Sequence, residues 1–381
     1  MSILYLSWSI PPSPKASSIL SKNIADNFDG ETIILVGEKV LGSNLNTENL
    51  KYKTYYVNPF LFNKSKGYQY IRWFYFFSIY QKIKKIIVKE KCRAIICSFP
   101  NEFYLALAYR LSEKLQLPFY PWFHNLYIEN MKGYRLSMAK WLQPRVFNLA
   151  SEILTMSDGM NNYMRIEYSD YIEKFTPFKH GFSIPSKVEN FSEEKIPIKV
   201  LFSYTGTFHQ SCKDASIRLC SVIVQNPNYE LHVFGGSNKK VFIENGIEGD
   251  LVFFHGFLEE EVFKKKLSNI HIHLLPHGFE EDSLSQIEID TIFPTRTIPL
   301  LSSGRPILAN SPKSSFLTEF LTERKCAYVV ETKDEKDIIK AINEIIQNNL
   351  FRIETVNNAI EASKEFNITD RIKELKEILE K

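Results

Sequence analysis

No Cys-x-x-Cys pair, no extended Lys/Arg block and no apolar run of bilayer length occurs in these 381 residues. The five cysteines, Cys92, Cys97, Cys212, Cys220 and Cys326, are odd in number and scattered. That excludes the spacing of a zinc site or a disulfide framework and predicts reduced thiols in the cytosol. A formal net charge of +3 is too slight to draw nucleic acid by bulk electrostatics, so no nucleic-acid partner is expected and any anionic ligand must be met locally. The apolar stretches fall short of the roughly 20 residues that a membrane-spanning helix requires. The opening stretch 3–8 has no basic lead and runs into Pro11-Pro12, which reads as a first strand and not a signal peptide.

What is present is a globular composition, 14% aromatic and 24% charged, on a chain long enough for two cores. Strand and helix patterns alternate, which predicts parallel sheets with helices on both faces. In the first half, short apolar runs at 32–36, 94–97 and 153–156 read as strands buried on both sides, separated by helices at 17–27, 68–89, 102–115 and 137–150. A polar, proline-bearing segment at 183–197 reads as a linker. The pattern restarts with strands at 199–204, 230–234, 251–254, 271–275, 306–309 and 327–330 and helices at 214–225, 259–268, 314–323 and 334–348. Amphipathic helices at 352–365 and 369–380 close the chain. Two successive doubly wound units are expected, with ligands at the carboxyl ends of the strands and in a cleft between the units.

Near the C-terminus, Phe293-Pro294-Thr295-Arg296 precedes Gly304-Arg305-Pro306 and an apolar strand. Pro294 suits a first helical turn, Thr295 suits a cap, and Gly304 suits a left-handed close. An arginine beside a helix N-terminus is a place for phosphate, because amides point outward and the guanidinium fork matches two oxygens. The alternative is a helix whose arginine lies on the surface.

Four glycine turns end successive strands of the second half: Thr205-Gly206-Thr207, Gly235-Gly236, His255-Gly256-Phe257 and His277-Gly278-Phe279. Together they would line one sheet edge and let backbone approach a ligand, with Lys213 adding a point charge. The acidic run Glu280-Glu281-Asp282 suits hydrogen bonds from sugar hydroxyls or a solvated loop. His124, just past the run 119–123, either faces the ligand as a hydrogen-bond partner or ties down its own loop. The helix at 68–89 sets Tyr70, Trp73, Phe74, Phe76, Phe77 and Tyr80 beside Lys82, Lys84 and Lys85. It reads as a core helix whose lysines complement the dipole in preference to an interfacial helix making peripheral membrane contact.

From these residues the chain resembles the retaining, nucleotide-sugar-dependent glycosyltransferases of the GT-B fold, most strongly over 199–330. Ser157-Asp158-Gly159 and Lys179-His180-Gly181 carry the resemblance into the first half. It implies an α/β chain of two Rossmann-like doubly wound domains facing a cleft. The first would span 1–182 on the acceptor side, with a linker at 183–197. The nucleotide-sugar domain would span 198–350, and the helices of 351–381 would return toward the first.

By resemblance, Phe293-Pro294-Thr295-Arg296 matches a Phe-Pro-Ser-Lys-type motif, placing Arg296 and Thr295 at the donor diphosphate with Lys213, Gly206 and Thr207. Gly235, His255, Gly256 and Phe257 would flank the base, His277, Gly278, Phe279 and Glu280 the sugar, and His124 the reaction centre. Lys15 and Ser17 would stand in the acceptor-side loop, which lacks the family's glycines. Where many members carry a ribose-binding glutamate this chain has Pro299, leaving Glu288 or Asp290 for that contact. No Asp-x-Asp motif is present, so neither metal nor cofactor is expected beyond the nucleotide-sugar co-substrate. The acceptor would be a glycan or lipid-linked glycan of the cell surface, met in the cytoplasm or at the inner face of the membrane. Two rival readings are a non-catalytic relative that binds a sugar nucleotide and a bilobal solute-binding protein.

Overall fold

The computed structural model describes residues 2–13, 15–28, 32–38, 52–57, 68–185, 188–191, 195–236, 239–279 and 285–381. The chain divides into one unit of Met1–Ser183 with Ile368–Lys381 and a second of Ile184–Asn367. The passage between them falls at Ser183, and residues expected as linker pack into the second unit, where Phe191 donates its amide to the Gly304 carbonyl at 3.0 Å. Of the closing helices, only Ile368–Glu380 joins the first unit, while Asn349–Ser363 packs in the second, so the expected return of 351–381 shortens to its last helix. The reason is apolar: Ile368, Ile372, Leu375, Ile378 and Leu379 complete the first core.

In the first unit, β1 (Ser2–Ser9), β2 (Thr32–Glu38), β3 (Lys53–Tyr56), β4 (Cys92–Phe99), β5 (Phe119–Phe123), β6 (Ile153–Thr155) and β7 (Phe175–Pro177) form one sheet. Its order is β3-β2-β1-β4-β5-β6-β7 and every pairing is parallel. Helices cover both faces, so central strands are apolar on both sides and read as continuous runs. β3 and β7 are short edge strands outside the sequence expectation. The helix Asp158–Glu167 was likewise unexpected, although Ser157 caps it through the Met160 amide at 3.1 Å.

The segment expected as one helix over 68–89 is three pieces: Tyr68–Ile71, a 3₁₀ turn Arg72–Tyr75, and Phe76–Glu90. Its buried stripe is Ile79, Tyr80, Ile83 and Ile87. Tyr70, Phe74 and Phe77 are exposed, so half of the six aromatics do not form the core contact expected of them, while Tyr80 is buried and Trp73 and Phe76 pack on Phe103.

In the second unit, β8 (Val200–Thr205), β9 (Tyr229–Phe234), β10 (Val252–Gly256), β11 (Ile272–Pro276), β12 (Ile307–Asn310) and β13 (Tyr328–Val330) form a parallel sheet of order β10-β9-β8-β11-β12-β13. The core joins Phe202, Tyr204, Leu231, Val233, Ile272 and Leu274 to Leu219, Ile223, Ile338 and Ile342 from the helices Lys213–Val224 and Glu335–Gln347. Strand order reverses between β8 and β11. Loops diverge there, and such a switch point is where doubly wound sheets bind ligands.

Candidate functional site

The switch point of the second unit gathers the glycine turns. Gly206 closes β8 at φ +104 and Gly235 closes β9 at φ +109, a region that side chains avoid. The Gly206 amide donates to Phe234 O at 2.8 Å and the Gly235 amide to Gly256 O at 2.7 Å, so the turns form a ladder beyond the strands. A Cβ on Gly235 would come within 3.2 Å of the Gly206 backbone. His255, Gly256 and exposed Phe257 end the edge strand β10. The His255 ring stacks on Phe234 at 4.6 Å and hydrogen-bonds the His232 ring at 2.9 Å.

Arg296 reaches across to this edge. Its NH1 donates to Thr205 O at 3.0 Å and to the Tyr204 hydroxyl at 3.4 Å. Its NH2 faces Thr207 O at 3.4 Å and Cys212 Sγ at 3.3 Å. The guanidinium lies flat enough against the turn that a Cβ on Gly206 would stand 3.3 Å from its central carbon. Arg296 has no carboxylate partner among the described residues, so a half-buried positive charge is held at the strand ends. Neither Tyr204 nor Cys212 was a candidate from sequence, since a buried tyrosine and a buried cysteine read as core.

The helix after Arg296 departs from expectation. It is Thr297–Leu301, with Arg296 itself as N-cap and no side-chain cap bond there. Pro294 opens the turn before it, its carbonyl accepting from the Thr297 amide at 2.9 Å, and the Ile298 amide donates to Thr295 O at 3.4 Å. Two of the amides expected to face a phosphate, those of Thr297 and Ile298, are therefore spent within the turn. Pro299 sits in the first helical turn instead, where its missing N–H costs nothing. Gly304 is left-handed at φ +75 as expected, but the cause is a neighbour: a Cβ would stand 1.9 Å from Glu189 O.

Free amides occur at the longer helix Lys213–Val224. Lys213, Asp214 and Ala215 begin it, and their amides have no backbone partner among the described residues. Exposed Lys213 is its first residue. This end combines unpaired donors with the positive pole of the helix.

The turn His277-Gly278-Phe279 ends β11 against that helix. Gly278 donates to Ser211 O at 2.7 Å, and the Phe279 amide meets both Asp214 oxygens at 3.3 and 3.2 Å. Arg218 balances Asp214 at 3.1 Å and also binds Asn310. Sequence reading missed Asp214 and Arg218 as positioning groups; their i,i+4 spacing was the available signal. His277 is fully buried, and its Nε2 donates to Ile289 O at 2.7 Å. Burial pushes its pKa down to about 4, so it is neutral at pH 7.

Glu288, a ribose candidate, is fully buried in the helix Gln286–Thr291 capped by Ser285. Asp290 is half-buried and accepts from Gln286 at 2.9 Å and Ser314 at 2.7 Å. Glu280, proposed for the sugar, lies outside the described residues.

In the first unit, His124 follows β5, and its amide donates to Phe99 O at 3.3 Å. Its ring packs on Trp122 at 4.3 Å and His180 at 5.0 Å, while its buried Nε2 has no partner among the described residues. Burial, with His180 adding to it, pushes its pKa well below the usual histidine value. Lys15 is the N-cap of the helix Ala16–Asn27 and lies over the Trp8 ring at 3.8 Å, and Ser17 is half-buried in its first turn.

No protein-family model matches this sequence, and no curated protein does. Solved structures do. Sucrose-phosphate synthase from Thermosynechococcus elongatus superposes with TM-score 0.78 at 14% identity, covering 99% of this chain and 98% of that one. The Anabaena protein HepE, in complex with UDP and glucose, gives 0.72 at 15% over 100% and 99%. The lipopolysaccharide outer core galactosyltransferase WaaB gives 0.60 at 14% over 100% and 99%. At these identities the likeness is one of fold: two Rossmann-like domains, as in the GT-B glycosyltransferases.

Proposed function

We propose that the chain is a glycosyltransferase that moves a sugar from a nucleotide-sugar donor to a glycan or lipid-linked glycan, with retention at the anomeric carbon. The observation that carries this is Arg296, a cation without a described carboxylate partner, laid against the Gly206 turn at the switch point of the second sheet. Beside it stand Lys213 and the open amides of its helix. Fixed positive groups at one place are what a departing diphosphate requires, since they stabilise charge without reorganising. The UDP-bound state of HepE supports a uridine nucleotide as the first donor to test.

On this reading the glycosidic C1–O bond to the diphosphate lengthens toward an oxocarbenium-like state. Its electron pair passes to the leaving oxygen, whose charge Arg296 and Lys213 meet. The acceptor hydroxyl forms the new bond to C1 on the face the diphosphate leaves, and its proton passes to the departing diphosphate oxygen. Neutral His277 holds the helix Gln286–Thr291 beside the donor turn, and the Asp214 carboxylate fixes the backbone of Phe279 where the sugar would lie. His124, neutral with a buried Nε2 that has no partner among the described residues, is assigned to the acceptor half as a positioning group. Glu288 has no open face for ribose, so the ribose contact falls to backbone at Gly235 and Gly256.

The test is release of nucleoside diphosphate from a panel of sugar nucleotides, with and without acceptor glycans and with chelator present. Turnover that survives chelation and yields a product of unchanged anomeric configuration is expected. Binding of a sugar nucleotide without release under any acceptor would replace this reading with that of a non-catalytic relative.

A further inference from the structure

We infer that the first unit docks on an anionic lipid surface through a face built from two neighbouring segments, 68–90 and 131–149. Phe74 is 89% exposed and Phe77 71%, and Tyr70, Ile71 and Val88 are exposed with them. From the second segment Tyr134 and Trp141 are exposed, and the Tyr70 and Tyr134 rings meet at 6.1 Å. Both segments flank the helix Glu102–Leu115, so they belong to one side of the unit. Where they meet, a cavity of about 240 Å³ is walled by Tyr70, Trp73, Tyr134 and Met138, with the Glu102–Arg135 ion pair at its base. An exposed apolar surface of this kind marks an interaction site.

Charge identifies the occupant. Residues 68–90 contain Arg72, Lys82, Lys84, Lys85 and Lys89 against one acid, Glu90, which is paired with Lys53 at 2.7 Å, and residues 131–149 contain Lys132, Arg135, Lys140 and Arg145 and no acid. In a chain of net charge +3 that is a marked local excess. Arg72 is buried against Glu38 and Arg135 is paired with Glu102. Lys82, Lys85, Lys89, Lys132, Lys140 and Arg145 are exposed. At helical spacing Phe77 and Val88 share one rim of the outward face of Phe76–Glu90, with Lys85 and Lys89 on the other. Aromatic rings beside lysines and arginines suit the boundary between headgroups and acyl chains, where rings enter and ammonium groups meet phosphate. A protein partner of the same chemistry would need an acidic surface that a second copy does not offer from this face. No helix among the described residues is long and apolar enough to cross a membrane, so the contact is peripheral.

The experiment is co-sedimentation of the full chain with phosphatidylcholine vesicles, with and without phosphatidylglycerol. Binding should be about tenfold or more stronger to the anionic vesicles and should weaken with salt, since each basic residue near the surface adds to attraction within a Debye length. The double variant Phe74→Ser/Phe77→Ser should lose roughly tenfold or more of it, as should Lys85→Glu/Lys140→Glu. Because these side chains are exposed, the variants should keep the wild-type melting temperature and the wild-type response to uridine diphosphate. That second readout separates this inference from the transfer reading, on which it does not rest. Wild-type protein that ignores anionic vesicles, variants that bind them as wild type does, or a face that instead joins two copies in sedimentation would each overturn it.

Discussion

The two sheets share a grammar but end differently. In the second unit β8, β9 and β10 run out into glycine turns, two of them with φ beyond +100, and the Arg296 side chain lies across the first. In the first unit β4, β5 and β6 run out into Pro100, His124 and Met156, and aromatic rings wall the edge. One edge offers a fixed charge beside the open amides of the helix Lys213–Val224, which suits a phosphate. The other offers ring faces and a neutral imidazole, which suits a hydroxyl-bearing or apolar acceptor. Similar frameworks thus prepare for two different chemistries through the residues that end each strand.

The strongest way to break the contrast is to remove the charge. Arg296→Ala should lower kcat/KM for the sugar nucleotide by roughly 100-fold or more, the scale for losing a preorganised donor to developing charge. Arg296→Lys should recover only part, because a lysine cannot reach Thr205 O and Thr207 O together as the two prongs of a fork. Steady-state kinetics on the three proteins decides it; equal values would place the charge outside the reaction.

Next comes the turn itself. Gly206→Ala puts a Cβ 3.3 Å from the guanidinium at a left-handed φ, and should cost about 1–2 kcal/mol of stability and about tenfold in nucleotide affinity. Gly236→Ala, whose Cβ meets nothing within 4 Å, is the control and should change little in denaturant melts or titrations. A third variant sharpens the other side. His124→Gln should reduce turnover about tenfold while nucleoside diphosphate affinity stays at wild type, because the residue belongs to the first unit.

The smallest effect per step is in pH. Burial lowers His180 and His273 to about 3 and His277 to about 4. The unfolded chain takes up these protons near pH 6.5 while the native chain does not. Their stabilisation is therefore complete above that pH and is lost progressively as pH falls toward 4 and then 3. Each should contribute a slope of about 1.4 kcal/mol per pH unit in urea melts below pH 6.5. His277→Asn should reduce the slope by its own share, leaving that of His273 in the second unit and those of His124 and His180 in the first.

Much of this was legible in the sequence. The central strands are apolar on both faces, so runs such as 32–36 and 94–97 declared themselves. The glycine turns were visible because a left-handed φ restricts residue choice. The edge strands β3 and β7 were not, being short, and the start of the helix Thr297–Leu301 was misread because Pro294 and Pro299 both suit a first turn. The partners of Arg296 were hidden for a different reason. Two are backbone carbonyls, which carry no sequence signal, and Tyr204 and Cys212 look like core. The aromatic helix misled in the opposite direction, since its isoleucines made the core and left Phe74 and Phe77 outside.

On the proposed function, the second unit grips a pyrophosphate with Arg296 and the open end of the helix Lys213–Val224. Calorimetric titration of uridine diphosphate into wild-type and Arg296→Ala protein, with chelator present, tests it directly. Wild type should bind saturably, and the variant at least about tenfold more weakly. Equal affinity in the two proteins, or binding that appears only when a divalent cation is restored, would contradict it.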